Sequence, residues 1–170
     1  MTVYNNNNSV LIDGLNSAIR INQANLLMKN IDTFNSLSDL LNNGAVCHDA
    51  AALIHFLKKP HLSAHDLYCL KHYNTKEWIH YFYTFHTEWD GISDIPAGKV
   101  IGFFKDTHTW IPMKITHSAI AVGGTKFRGI NGKSLGESWS QVSDLKTVLT
   151  FTQNGMEHDE TIVKVLISDK

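Results

Sequence analysis

Cysteine and proline are scarce in this chain of 170 residues, with two and three copies respectively. Two cysteines are too few for the disulfide framework of a small secreted domain, so we expect free thiols and synthesis in a reducing cytoplasm. The N-terminus has no basic start followed by an apolar stretch, which predicts no Sec signal; export would need a specialised secretion system. No apolar run is long enough to predict a membrane span.

Clustered charge of one sign is also missing, and the formal net charge is -1. A nucleic-acid surface needs grouped lysine and arginine, so no nucleic-acid partner is predicted. The ten histidines show neither His-Glu-x-x-His nor a Cys-x-x-Cys companion, so neither a metal nor another cofactor is predicted. The hydrophobic fraction of 43% is that of an ordinary folded domain.

The first half of the chain has the apolar spacing of helices. An asparagine run at 5–8 predicts a flexible N-terminus over 1–14, and 15–170 is predicted to be a single domain. Ser63 with Asp66 three residues later predicts a capping box. Thr75 is predicted to cap a fifth helix that carries Phe85 on its apolar face.

The second half has the composition of strands and turns. Strands are predicted over 99–105, 113–122, 125–130, 147–152 and 161–168. Gly123 and Gly124 predict one hairpin, and the Asn154-Gly155 turn predicts a second hairpin between the last two strands. Helices followed by strands indicate an α+β fold, with N-terminal helices packed on a C-terminal antiparallel sheet.

Cys47 is the first residue whose position carries chemistry, because it follows a loop with Gly44 and opens a predicted helix. The first turn of a helix has free N–H groups and a positive dipole end, which favour a thiolate and can bind an oxyanion. Cys47 is therefore a candidate nucleophile, with a buried structural cysteine as the alternative. Cys69 lies within an apolar helical pattern and is predicted to belong to the core.

His117 lies in a predicted strand and could accept the proton of such a cysteine. Asn131 ends the next strand, where its amide oxygen could orient the imidazole; Asn-Gly is also a common turn dipeptide. His108 is an alternative base, although its surroundings predict a loop.

The order of these residues resembles that of papain-like cysteine hydrolases. The segment 96–104, with Pro96 and Gly98 before an apolar strand, is similar to NlpC/P60 and CHAP-type domains. So is the segment 116–124, in which a histidine begins a strand that ends in a glycine hairpin. The resemblance covers about half the chain, roughly 44–131, and extends to bacterial effector amidases and glutamine deamidases.

This resemblance implies a papain-like fold and a triad of Cys47, His117 and Asn131. It implies a cysteine-dependent amide hydrolase that works through a thioester: a peptidase, a peptidoglycan amidase or a glutamine deamidase, as in an effector or toxin. Asn42 and Asn43 are the implied oxyanion donors, in the place of the upstream glutamine of papain. The implied partners are a peptide, peptidoglycan or protein substrate and a cognate immunity or host target protein. A non-catalytic protein-binding module on the same fold is the alternative.

Overall fold

The computed structural model describes Ile12 and residues 15–170. Within 15–83, five α-helices precede the main sheet: α1 (Ser17–Met28), α2 (Ser36–Asn42), α3 (Cys47–Lys58), α4 (Ala64–His72) and α5 (Thr75–Tyr83). The segment expected to be flexible, 1–14, lies outside the described residues except for Ile12, whose side chain is buried in the core. No helix among the described residues has both the length and the apolar character that a membrane crossing requires.

The strands form one antiparallel sheet in the order β5-β4-β3-β2-β8-β7-β6, and β1 pairs with the C-terminal end of β8. They are β1 (His86–Glu88), β2 (Val100–Lys105), β3 (Ile115–Gly123), β4 (Lys126–Arg128), β5 (Ser143–Asp144), β6 (Thr150–Thr152), β7 (Gly155–His158) and β8 (Thr161–Ser168). A short helix, α6 (Leu145–Val148), joins β5 to β6. The predicted α+β class is confirmed.

Both faces of the sheet are apolar, and neighbouring residues of a strand face opposite sides. Val100 and Ile120 belong to the cluster that contains the helices, whereas Ile101 and Ala119 belong to a second cluster on the other face. Helix α3 packs between β3 and α1, and its side chains are buried along most of its length. This burial places the N-terminus of α3 against the middle of β3.

Two details of the helical prediction have different outcomes. The capping box of Ser63 and Asp66 is confirmed: the Asp66 N–H donates to Ser63 Oγ over 3.0 Å, and the Ser63 N–H donates to the Asp66 carboxylate over 2.9 Å. The predicted cap at Thr75 is wrong by one residue, because Asn74 precedes the helix and its N–H donates to Glu77. Phe85 lies beyond the end of α5 and is 72% exposed.

The second predicted hairpin is corrected by an additional strand. The Asn154-Gly155 turn joins β6 to β7, and β7 then pairs with β8. Strand β7 was not predicted because its four residues are Gly-Met-Glu-His, of which only His158 is buried. Such a strand lacks the alternation on which strand prediction depends.

Gly102 allows α5 to approach the sheet, and its replacement by alanine should be costly. A Cβ at this position would lie 2.5 Å from two ring carbons of the fully buried Tyr83. We expect Gly102→Ala to lower the free energy of unfolding by about 1–3 kcal/mol, which is the usual range for overpacking. Urea denaturation measures this difference.

The control is the same change in a Tyr83→Leu background, where the ring is absent and the cost of the added methyl group should fall. An equal cost in both backgrounds would show that the ring is not what the methyl group meets.

Candidate functional site

The Cys47 thiol lies at the first position of α3. Val46 is extended, with φ -104° and ψ 173°, and its N–H donates to Asp49 Oδ2 over 2.9 Å, so the helix begins at Cys47. The backbone N–H groups of Ser118, His48 and Cys47 itself are near enough to the sulfur to favour its thiolate form. The expected position of Cys47 at a helix start is confirmed.

The contact with Ser118 depends on the point where two strands separate. Pairing between β3 and β4 ends at Ile120 and Arg128, so the β4 side of β3 is open at the level of Ser118. The Cys47 thiol lies at this level, where the Ser118 N–H is near enough to the sulfur to lower its pKa. The nucleophile candidate therefore lies at the peptide bond between Ser118 and His117.

The protonation of Cys47 is decided by opposing effects. Burial is the largest and raises the pKa of the thiol, and the Asp49 carboxylate raises it further. The N–H groups of Ser118, His48 and Cys47 lower the pKa but do not cancel the effect of burial. The pKa lies above its ordinary value, so Cys47 is a neutral thiol at pH 7.

His117 is held on the face of β3 that carries the second apolar cluster. Its ring centroid is 5.6 Å from that of Phe103, its partner on β2. The backbone of Gly132 covers the ring so closely that a Cβ there would lie 2.4 Å from Cε1. Burial lowers the pKa of His117 to about 4, and a hydrogen bond with the Leu135 carbonyl opposes this effect.

His117 keeps one polar atom without a partner. Its Nε2 is buried and makes no hydrogen bond within the described part of the chain, and the side chain is 4% exposed. No hydrogen bond joins the Cys47 sulfur to the ring among the described residues. The structure thus brings Cys47 to the backbone of His117. The sulfur packs against the apolar cluster that contains the helices, whereas the ring packs on Phe103 of the other cluster, and their pairing as nucleophile and base stays a prediction.

Asn131 contacts the loop before the cysteine. It has a left-handed backbone, with φ 58°, and its Nδ2 donates to the Ala45 carbonyl over 3.3 Å. The backbone carbonyl of Leu135 is what meets the His117 ring. Asn131 is therefore beside the Cys47 loop, and its predicted role as the group that orients His117 remains untested.

The remaining predicted positions make no hydrogen bond to the sulfur among the described residues. Asn42 and Asn43 end α2 and are exposed, and the Asn43 amide donates to the Asp39 carbonyl over 2.7 Å. This bond caps α2 and occupies a donor that was assigned to an oxyanion. His108 lies in the loop between β2 and β3, as predicted. Cys69 is a fully buried free thiol, which confirms its place in the core.

A buried polar network under the thiol was not predicted. His48 Nδ1 lies 2.6 Å from Ser118 Oγ, and Ser118 Oγ lies 2.5 Å from the Tyr83 hydroxyl. Tyr83 in turn donates to the Ile101 carbonyl over 3.1 Å. Strand alternation indicates that Ser118 faces away from His117, but nothing in the sequence links it to residues 70 and 35 positions away.

No group of three or more His, Cys, Asp or Glu side chains within the described residues is placed to hold a metal ion. Two large surface grooves, of about 630 and 590 Å³, are lined by residues other than Cys47 and His117. Comparison with models of known protein families gives no match, and no curated protein matches the chain.

Acidification should destabilise the protein, because burial keeps histidines neutral in the folded state. The folded pKa values are about 4 for His117 and about 3 for His48 and His55, all below the value for an unfolded chain. The unfolded state therefore binds protons first as pH falls, and stability is lost between pH 6.5 and the folded pKa. Each histidine should cost about 2 kcal/mol between pH 7 and pH 5.

Urea unfolding at both pH values measures this loss, and His117→Gln should reduce it by about 2 kcal/mol. An unchanged pH dependence in this variant would mean that His117 titrates normally when folded.

Proposed function

We propose that this protein is a cysteine-dependent amide hydrolase of papain-like type, with Cys47 as the nucleophile and His117 as the base. One observation carries the proposal. The thiol at the start of α3 has three backbone N–H groups near it and lies beside the backbone of His117, whose buried Nε2 makes no hydrogen bond to any residue that the structure describes. An unpartnered buried nitrogen is costly to keep, and a catalytic role is one explanation for it.

In the proposed reaction the resting pair is a neutral thiol and a neutral imidazole. The sulfur of Cys47 attacks the amide carbonyl carbon while its proton passes to His117 Nε2. The tetrahedral oxyanion is held by N–H groups at the start of α3, with the side-chain amides of Asn42 and Asn43 as further candidate donors. The imidazolium of His117 then protonates the leaving amine, the carbon–nitrogen bond breaks, and water hydrolyses the thioester.

Asn131 completes the proposed site. Its hydrogen bond to the Ala45 carbonyl supports a role in holding the Cys47 loop beside the segment that covers His117. The hydrogen bond to Ala45 uses Nδ2 and leaves Oδ1 as the acceptor for the proposed orienting contact with the imidazole. The Leu135 carbonyl already meets the ring and can fix its tautomer.

The proposed substrates are amides of a peptide, of peptidoglycan or of a protein glutamine side chain, which share this acyl chemistry. We further propose an effector or toxin role, export by a specialised route, and a cognate immunity or host protein as partner. These proposals rest on the resemblance at 96–104 and 116–124.

Acylation by p-nitrophenyl acetate tests the proposed nucleophile without knowledge of the substrate. We expect a burst of p-nitrophenolate and an acetyl group on Cys47, located by peptide mass spectrometry. Cys47→Ala should abolish the burst. His117→Gln should slow acylation by about 100-fold, as is usual for the loss of a general base.

Cys69→Ala is the matched control, because it removes the chain's only other thiol from the core and should leave the burst unchanged. Acetylation of Cys47 at the rate of a free cysteine, unaffected by His117→Gln, would favour the non-catalytic binding module.

A further inference from the structure

The hydrogen bonds that run through Ser118 all donate in the same direction, from His48 through Ser118 and Tyr83 to the Ile101 carbonyl. A carbonyl only accepts, so the Tyr83 hydroxyl must donate to Ile101. The Tyr83 oxygen therefore accepts from the Ser118 hydroxyl, and Ser118 Oγ in turn accepts from His48 Nδ1–H. Each donor in this series therefore has a single acceptor, which fixes His48 as the tautomer that carries its proton on Nδ1.

This series of hydrogen bonds connects three elements in the buried interior. His48, Ser118 and Tyr83 are 4%, 0% and 0% exposed and belong to α3, β3 and α5. Buried hydrogen bonds of this kind are short and costly to break, because a freed partner would stay unsatisfied. The chain therefore fixes α3 against β3 at the residue that follows Cys47.

We propose that His48, Ser118 and Tyr83 are positioning residues that hold the Ser118 N–H against the Cys47 thiol and so set how readily this thiol ionises. The proposal rests on the proposed function insofar as Cys47 is the nucleophile. Ser118 connects the network to the thiol. Its hydroxyl belongs to the network, and its backbone N–H lies beside the Cys47 sulfur.

The titratable side chains near Cys47 do not favour its ionisation. The negative charge of Asp49 on α3 raises the pKa of the thiol, and burial raises the pKa of the Tyr83 hydroxyl far above neutrality, so this hydroxyl stays uncharged. His48 and His117 stay neutral because burial lowers their pKa values to about 3 and about 4. The N–H groups are thus the stabilising partners of a thiolate, and the position of Ser118 matters.

The test is the pH profile of Cys47 alkylation by iodoacetamide, followed by peptide mass spectrometry in a Cys69→Ala background. In Tyr83→Phe the Ser118 hydroxyl loses its acceptor, and the strand can move away from the thiol. We expect the apparent pKa of Cys47 to rise by about one unit, which is about tenfold less thiolate at a given pH below it.

Tyr81→Phe is the matched control. Tyr81 lies on the same helix, and its hydroxyl contacts His55 Nε2 at 3.2 Å instead of Ser118. This change also removes one tyrosine hydroxyl from α5, and the alkylation profile should stay as in the parent. Equal profiles for Tyr81→Phe and Tyr83→Phe would overturn the proposal.

A second pair of variants protects the test against misfolding of Tyr83→Phe. His48→Asn can place an amide N–H where Nδ1–H was and should keep the parent profile, whereas His48→Leu should raise the apparent pKa of Cys47. Equal shifts in both variants would overturn the network. A different result is that the alkylation profiles of these variants shift as expected while the parent protein takes up no acetyl group from p-nitrophenyl acetate. That result would support the positioning role of the network and contradict the proposed function.

Discussion

The separation of β4 from β3 beyond Ile120 and Arg128 is the constraint on which the candidate site depends. The Ser118 N–H on β3 is then free of a neighbouring strand, and the Cys47 thiol lies beside it. Burial of α3 between β3 and α1 brings the sulfur there. The chemistry proposed for this chain is therefore a consequence of where one strand pair ends.

Burial has opposite consequences for the two members of the proposed pair. It raises the pKa of the Cys47 thiol and lowers that of the His117 imidazole, so both are neutral at rest. A neutral pair avoids placing two charges in an apolar site, which would be costly. It also means that the proton must move as the sulfur attacks, and the N–H groups around the sulfur then stabilise the charge that develops.

Much of the fold was accessible from sequence because its signals are local. Helix periodicity, the Ser63–Asp66 box and the glycine hairpin at Gly123 each depend on neighbouring residues, and all are present. Strand β7 could not be predicted because it buries a single side chain. For the site, the helix start predicted the position of Cys47. The contact between Asn131 and Ala45 spans 86 residues and depends on tertiary structure that no local pattern encodes.

The most direct test of the central claim asks whether the His117 ring senses the state of the Cys47 sulfur. The measurement is the NMR resonance of each histidine Cε1–H before and after Cys47 is capped with a methylthio group in the Cys69→Ala protein. The account predicts that the His117 signal shifts, while that of His158, whose ring contacts Lys105 and Ser134, does not. A His117 signal unchanged by complete modification of Cys47 would contradict the account.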